Sequence, residues 1–171
     1  MKKLYILRHA KSDYPDDIND DHARPLNKKG QKDCKLIGNY LIQHNINLQV
    51  ILSSDAVRTK ETITNILRVS GNRTEVNFSN KLYLATAGEI IKQIGKDAGD
   101  AESVMVVAHN PGVWQLAQIL TQSGDYDLLK QLATKYPTAS MACFSINIDN
   151  WQDLQPASAI LDRFITPKSL R

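Results

Sequence analysis

The sequence predicts a three-layer α/β/α sandwich with a mainly parallel central sheet. Apolar runs of strand length alternate along the chain with stretches of helical periodicity, which is the order typical of α/β folds. The runs Leu4–Leu7, Val50–Leu52 and Val104–Ala108 are almost wholly apolar, as in strands buried on both faces of a parallel sheet. No repeat or low-complexity segment divides the chain, so we expect one domain over residues 1–171.

The other strands follow from shorter apolar runs and from alternation between apolar and polar residues. Three more strands are predicted in addition to the three runs above, and they are Val76–Phe78, Met141–Ile148 and Ile160–Phe164. Two stretches, 11–26 and 122–138, show neither period, and we expect them to be irregular.

Four helices lie between these strands. The first begins near Asn27 and reaches about His44. The second opens at Asp55, an N-cap residue type, and the third at Thr86. The fourth opens at Asn110, with proline at the first helical position.

Composition excludes several classes of protein. The net charge of +3 is small, and lysine and arginine are spread along the chain, so no nucleic-acid partner is expected. No apolar run approaches the about 18 residues that span a bilayer, and Leu4–Leu7 is too short for a signal peptide. We therefore expect a cytoplasmic monomer without a membrane partner, in which Cys34 and Cys143 are buried free thiols.

Chemically competent side chains follow three of the predicted strands. Arg8 and His9 end the first, Arg58 comes shortly after the second, and His109 follows the Val104–Ala108 strand. In open α/β sheets the ligand site lies beyond the carboxyl ends of the strands, so we expect these side chains to meet. Guanidinium groups bind phosphate oxygens, and a neutral imidazole can attack phosphorus. The pattern therefore favours phosphoryl transfer.

Other interpretations of these residues are available. Each strand-end histidine could be a structural side chain, and Arg58 could pair with Glu61 on its own helix. The acidic loop after His9 offers a metal site, but it lacks the glycine and glutamate of a calcium loop, and a solvated surface is favoured. Its carboxylates are Asp13, Asp16, Asp17, Asp20 and Asp21.

Several segments resemble the histidine phosphatase superfamily, in family order over nearly the whole chain. They are the opening strand with Arg8-His9-Ala10, Arg24-Pro25-Leu26 with Gly30, residues 53–59 with Glu61-Thr62, His109-Asn110-Pro111-Gly112 and Thr166-Pro167-Lys168. Alanine after the histidine, where many members have glycine, is similar to the bacterial SixA-type phosphohistidine phosphatases. The resemblance implies a phosphoglycerate-mutase-like fold.

The resemblance also implies the roles of the site residues. His9 would be the nucleophile that becomes phosphorylated, with Arg8, Arg58 and His109 completing the phosphate pocket and Arg24 as a further anion contact. No metal or organic cofactor is expected, and the sequence contains no zinc or P-loop motif.

The carboxylic acid that many relatives use on phosphate esters has one candidate here, Glu89. Because Thr86 and Glu89 have the spacing of a capping box, a helix cap is favoured over a general acid. Without an acid the leaving group must depart unaided, which suits phosphohistidine. We therefore predict a signal-transduction phosphatase that acts on a transient phosphohistidine-bearing protein partner and releases inorganic phosphate. The alternatives are a phosphomonoesterase of small metabolites, a non-catalytic phosphate- or phosphoprotein-binding module, and a metal-dependent hydrolase.

Overall fold

Seven strands form one mixed sheet in the order β3-β2-β4-β1-β6-β7-β5. The structure is a computed structural model that describes residues 1–171 throughout. The strands are β1 Lys2–Arg8, β2 Val50–Ser54, β3 Val76–Ser79, β4 Ser103–Ala108, β5 Thr121–Gly124, β6 Met141–Ile146 and β7 Ala159–Ile165. The helices are α1 Lys28–Gln43, α2 Val57–Ser70, α3 Ala87–Asp97, α4 Gly112–Leu120 and α5 Tyr126–Thr134.

The sheet is mainly parallel, as predicted. Strands β3, β2, β4 and β1 run in one direction, and β5 runs parallel to β7. Only β6 is antiparallel to both of its neighbours, β1 and β7. The carboxyl ends of β1, β2 and β4 therefore lie side by side at one edge of the sheet.

Helices cover both faces of the sheet, which confirms the three-layer prediction. Helices α1 and α2 pack on one face, where the buried cluster includes Leu7, and α3, α4 and α5 pack on the other, where it includes Ile6. Ile6 and Leu7 are both fully buried although they are neighbours, because successive side chains of a strand point to opposite faces. Full burial of each such side chain contributes about 1.5–3 kcal/mol.

Two predicted helix starts are wrong by one or two residues. The α2 helix begins at Val57 after Ala56, which makes no side-chain cap bond, and Asp55 instead accepts a 2.8 Å contact from His22. The α4 helix begins at Gly112, because the Asn110 side chain donates to the Tyr136 carbonyl instead of capping the helix. The Asn27 cap of α1 and the Thr86 cap of α3 are confirmed.

The expectation for residues 122–138 is also wrong. The stretch contains most of β5 and all of α5, whose N-cap Asp125 accepts from the Asp127 amide at 2.9 Å. The β5 strand has a polar sequence and pairs only with β7 at the sheet edge, so it lacks the apolar signal of a buried strand. The stretch 11–26 is irregular as predicted, apart from a short 3-10 turn at Asp21–Ala23 and one bridge between Ser12 and Leu26.

Both cysteines are buried free thiols, as predicted. Burial raises the pKa of Cys34 and of Cys143 to about 12, and a nearby carboxylate adds to the effect in each case. No helix is both long and apolar enough to cross a membrane.

Candidate active site

A cavity of about 160 Å³ lies at the carboxyl ends of β1, β2 and β4, and we call it the strand-end cavity. All five residues singled out from the sequence line it, namely Arg8, His9, Arg24, Arg58 and His109. The prediction that the side chains following β1, β2 and β4 lie close together is therefore confirmed. The remaining lining residues had not been assigned to the site, and they are Lys11, Ser12, Tyr14, Leu84, Asn110 and Thr138.

The two histidines meet because β1 and β4 are paired in register. Arg8 lies opposite Ala108 in the parallel ladder, and the His9 amide donates to the Ala108 carbonyl at 3.1 Å. The next residues, His9 and His109, consequently leave the sheet side by side, with ring centroids 5.2 Å apart. Their positions follow from backbone hydrogen bonds of the sheet.

His9 has one ring nitrogen bound and one available. Its Nδ1 lies 2.8 Å from the Ala10 carbonyl, which can only accept, so Nδ1 carries the proton and Nε2 keeps its lone pair. Burial lowers the pKa of His9 to about 3, and the charges of Arg58, Arg8 and Arg24 lower this pKa further. The hydrogen bond to the Ala10 carbonyl raises the pKa and offsets only part of the fall. The imidazole is therefore neutral at physiological pH and suited to nucleophilic attack.

His109 is almost wholly buried beside the end of β2. Its Nε2 lies 2.8 Å from the Ser54 hydroxyl, while its Nδ1 is buried without a hydrogen-bond partner. Burial lowers the pKa of His109 to about 3, and the proximity of His9 contributes. Tyr83 packs edge-on against this ring at 5.4 Å between centroids.

Three arginines surround the cavity, each held by a different part of the protein. Arg8 donates to the Tyr136 carbonyl at 2.9 Å. Arg24 donates to the Ser12 hydroxyl at 2.5 Å, and its guanidinium stacks on Tyr14 at 3.6 Å from the ring centroid. Arg58, in the first turn of α2, is 3% exposed. The arrangement collects three positive charges around one small cavity.

Four donors or potential donors in this lining are buried without a partner in the protein. They are the Nε atoms of Arg8, Arg24 and Arg58 and the Nδ1 atom of His109. Buried polar groups in native proteins are nearly always hydrogen-bonded, because leaving one unpaired costs about 1–3 kcal/mol. These four atoms therefore fit a ligand that is rich in acceptors and negatively charged, such as a phosphoryl group. The lining also contains one buried acceptor without a partner, the Asn110 Oδ1 atom, which could accept from a protonated ligand oxygen.

Asp21 is the contact that sequence reasoning missed. Arg58 donates to its carboxylate at 3.0 Å and to its carbonyl at 2.7 Å, and Arg24 donates to the same carboxylate at 3.2 Å. The alternative pairing of Arg58 with Glu61 is wrong, since Glu61 instead accepts from the Leu26 amide at 2.7 Å. Asp21 had been grouped with the solvated aspartates of its loop, and no local pattern distinguishes it from them.

The carboxylates near the site are poorly suited to donate a proton. None lines the strand-end cavity. Glu89 forms the predicted capping box, in which it accepts from the Thr86 amide at 2.8 Å while its own amide donates to Thr86 at 3.2 Å. The hydrogen bond from Tyr83, followed by the charge of Arg58, lowers the pKa of Asp21, so this group stays ionised.

Two glycines allow close backbone contacts beside the cavity. A side chain at Gly30 would collide with the Lys11 carbonyl, and one at Gly112 would collide with the Ala85 carbonyl.

Leu84, which lines the cavity and is 54% exposed, has a left-handed backbone with φ of +51°. This conformation is costly for a leucine. No three His, Cys, Asp or Glu side chains cluster so as to hold a metal ion.

Comparison with known proteins identifies the family to which this chain belongs. The family model described as histidine phosphatase superfamily (branch 1) matches residues 4–83. An uncharacterized protein of Mycobacterium leprae is 32% identical over 166 residues, which cover 95% of this chain and all of that protein.

Solved structures show the same fold. A protein assigned as the phosphohistidine phosphatase SixA of Nakamurella multipartitia is 25% identical, with a TM-score of 0.85 over 97% of this chain and 96% of that one. A protein from Agrobacterium tumefaciens with the same assignment is 24% identical, with a TM-score of 0.79 over 97% and 98% of the two chains.

Proposed function

This chain belongs to the histidine phosphatase superfamily, in its SixA-like branch, and we propose that it hydrolyses phosphohistidine on a protein partner. In this proposal His9 is the nucleophile and becomes phosphorylated. Arg8, Arg58 and His109 hold the phosphoryl oxygens, and Arg24 is a further anion contact. Water then releases inorganic phosphate.

The observation that carries the phosphatase assignment is the set of buried donors without partners. Three arginine Nε–H groups and one imidazole nitrogen lie in side chains that line one cavity with the neutral His9. Charge-assisted hydrogen bonds of this kind stabilise a phosphoryl group as charge moves over its oxygens, and such stabilisation is the main protein contribution to phosphoryl transfer. In the phosphate complex the dianion raises the pKa of His109, so that the ring can donate as a cation.

The assignment of phosphohistidine as the substrate rests on the lack of a carboxylic acid that could protonate a leaving group. Glu89 caps α3, Asp21 is held ionised by Tyr83 and Arg58, and no carboxylate lines the cavity. An ester would have to expel an alkoxide without the about 10²–10⁴-fold help of a general acid. Phosphohistidine that is protonated on its other ring nitrogen expels a neutral imidazole and needs no such help.

The size of the cavity favours a substrate carried on a protein. Sites that enclose a whole small molecule typically have about 300–1,000 Å³, and the strand-end cavity has about 160 Å³. It can take a phosphoryl group while the rest of the substrate stays outside. Tyr14 is 78% exposed and Leu84 is 54% exposed, so both are available at the cavity to contact a protein surface.

The hydrogen bond of His9 to Ala10 serves both chemical steps. In the first step the Nε2 lone pair forms a bond to phosphorus, and the bond from phosphorus to the substrate nitrogen breaks, returning its electron pair to the substrate imidazole. In phospho-His9 the Nδ1 nitrogen keeps its proton, which it donates to the Ala10 carbonyl, so the ring is cationic. The His9 imidazole is therefore a good leaving group in the second step. In the second step water bonds to phosphorus, its protons leave with dihydrogen phosphate, and neutral His9 is restored.

A substrate panel tests this proposal. Hydrolysis rates are measured on a phosphohistidine peptide, free phosphohistidine, phosphoserine and sugar phosphates, before and after exhaustive chelation of metals. We expect a preference of at least about 10²-fold for phosphohistidine over the esters, unchanged by chelation. His9→Ala should abolish turnover and the phosphoenzyme, while the matched control His44→Ala, at an exposed histidine, should retain both.

Each part of the proposal has its own contrary result. Turnover in His9→Ala would remove His9 as nucleophile. Rapid ester hydrolysis that is abolished by Glu89→Gln would overturn the substrate assignment and return Glu89 to the role of acid. Phosphate binding without any hydrolysis would instead indicate a binding module.

A further inference from the structure

A second cavity lies beside the strand-end cavity, and we call it the basic cleft. Its volume is about 180 Å³, and it is formed by the start of α1, the segment after α5 and the C-terminal segment that follows β7. Four of its eight lining residues are cationic, and none is a carboxylate. The cations are Lys29, Lys135, Lys168 and Arg171.

The basic cleft keeps most of its positive charge. One buried carboxylate, that of Asp33, accepts from both Lys29 at 2.8 Å and Arg171 at 2.7 Å. Lys135 and Lys168 are exposed and make no ion pair. Four cations therefore face one carboxylate, and the two unpaired lysines remain free to bind an anion.

The basic cleft adjoins the strand-end cavity. Thr138 lines both cavities, and Lys11, which is also exposed, lines the strand-end cavity. The acidic segment, residues 13–21, reaches the strand-end cavity through Tyr14, but none of its five aspartates lines the basic cleft. Positive and negative charges around the site therefore lie in separate parts of the chain.

We infer that the basic cleft binds an acidic segment that flanks the phosphohistidine of the protein substrate; this inference rests on the proposed function. A phosphoryl group in the strand-end cavity places neighbouring substrate residues next to Thr138, where Lys135 and Lys168 attract carboxylates. Complementary charges of this type steer binding and set orientation more than they add affinity. No aromatic side chain lines the cleft to stack on bases, so an acidic peptide fits better than a nucleic acid.

Paired peptides test the inference. One peptide carries phosphohistidine flanked on both sides by glutamate, and the other has glutamine at the same positions. We expect the wild-type kcat/KM to be about tenfold higher for the glutamate peptide at low salt, mainly through KM, and this ratio to shrink as salt screens the charges. The double variant Lys135→Glu, Lys168→Glu should lower the ratio to about one.

Two further variants control for charge and folding. Lys92→Glu with Lys96→Glu makes the same change in net charge on exposed residues of α3, outside the cleft, and should keep the ratio. Lys135→Gln with Lys168→Gln removes the charges without reversing them, and should also lower the ratio. A second measurement uses the unphosphorylated, fluorescently labelled glutamate peptide, whose binding is followed by anisotropy with and without oligothymidylate as competitor.

The outcomes separate this inference from the proposed function. Efficient hydrolysis of both peptides at equal rates would overturn the acidic-segment inference and leave the phosphohistidine assignment intact. If neither peptide is hydrolysed, the phosphohistidine assignment is wrong. In that case, binding of the labelled peptide that depends on Lys135 would still support the acidic-segment inference. Lack of such binding would overturn that inference. Tighter cleft-dependent binding of oligothymidylate than of the peptide would replace the inference with a nucleic-acid site.

Discussion

The two sides of the strand-end cavity are built in different ways. On one side, which we call the strand-end group, His9, His109 and Arg58 are nearly or wholly buried, and the His9 backbone is bound to β4. On the other side, the loop group, Asp21 and Arg24 lie at a short 3-10 turn of an otherwise irregular segment, where side-chain contacts to Arg58, Tyr83, Ser12 and Tyr14 hold them.

This difference indicates a division of labour. The sheet holds His9 and His109, since its hydrogen-bond ladder leaves their backbone little freedom, and the first turn of α2 holds the Arg58 backbone. The loop supplies an anion, Asp21, that accepts hydrogen bonds from Arg58 and Arg24 and so orients both guanidinium groups. Substitutions in the strand-end group should therefore affect chemistry, and those in the loop group should affect orientation and binding.

The largest contrast is expected between two arginines. Arg58→Ala should lower kcat/KM for a phosphohistidine peptide by about 10²–10³-fold, as loss of a preorganised donor in the transition state does in other enzymes. Arg24→Ala should lower it by about tenfold, since this residue lies in the loop group. Arg68→Ala, at an exposed arginine of the same helix as Arg58, provides the control. An effect of Arg24→Ala equal to that of Arg58→Ala would remove the distinction between the two groups.

The pH dependence of stability should report the burial of the strand-end group. The pKa of His109 is about 3 in the folded protein, below the ordinary value of about 6.5 in the unfolded chain. The unfolded chain therefore binds more protons below pH 6.5, and the free energy of unfolding falls as the pH falls from 6.5 to about 3. His109→Gln should reduce this fall by about 2 kcal/mol between pH 7 and pH 5, as measured by urea unfolding.

The slope with pH is the quantity to compare, because His109→Gln also changes packing at every pH. Gln43→Ala, at an exposed residue of α1 that does not titrate, should leave the slope close to that of the wild-type protein. An unchanged slope in His109→Gln would mean that His109 is not held neutral in the folded protein.

The smallest effect is expected in the loop group, at Asp21. Asp21→Asn should lower kcat/KM by about 3- to 10-fold, because Arg58 and Arg24 lose a charge-assisted hydrogen bond that orients them. Since Asp21 is held ionised, the pH profile of kcat should keep its shape. Asp17→Asn, at an exposed aspartate of the same loop, is the matched control. A loss of more than about 10²-fold confined to esters, with a shifted pH profile, would identify Asp21 as a proton donor.

Most of the layered fold follows from local patterns in the chain. The apolar runs of β1, β2 and β4 and the spacing of the α1 and α3 caps locate these elements within a few residues. The β5 strand and α5 helix escape prediction because β5 is short and polar at the sheet edge, where pairing with β7 replaces a hydrophobic signal. Asp55 and Asn110 have cap-type side chains, but His22 and Tyr136 provide them with tertiary partners instead.

The candidate site also combines residues that the sequence predicts with residues that only tertiary contacts bring together. The chain by itself determined that Arg8, His9, Arg58 and His109 follow the buried strands of a parallel sheet, so their meeting at one edge could be predicted. Only the tertiary structure decided that Asp21 binds Arg58, and that Lys29, Lys135 and Lys168 share one cleft. The physical reason is that strand order and side-chain periodicity are local or topological regularities, whereas these contacts join residues far apart in the chain through the particular course of two loops.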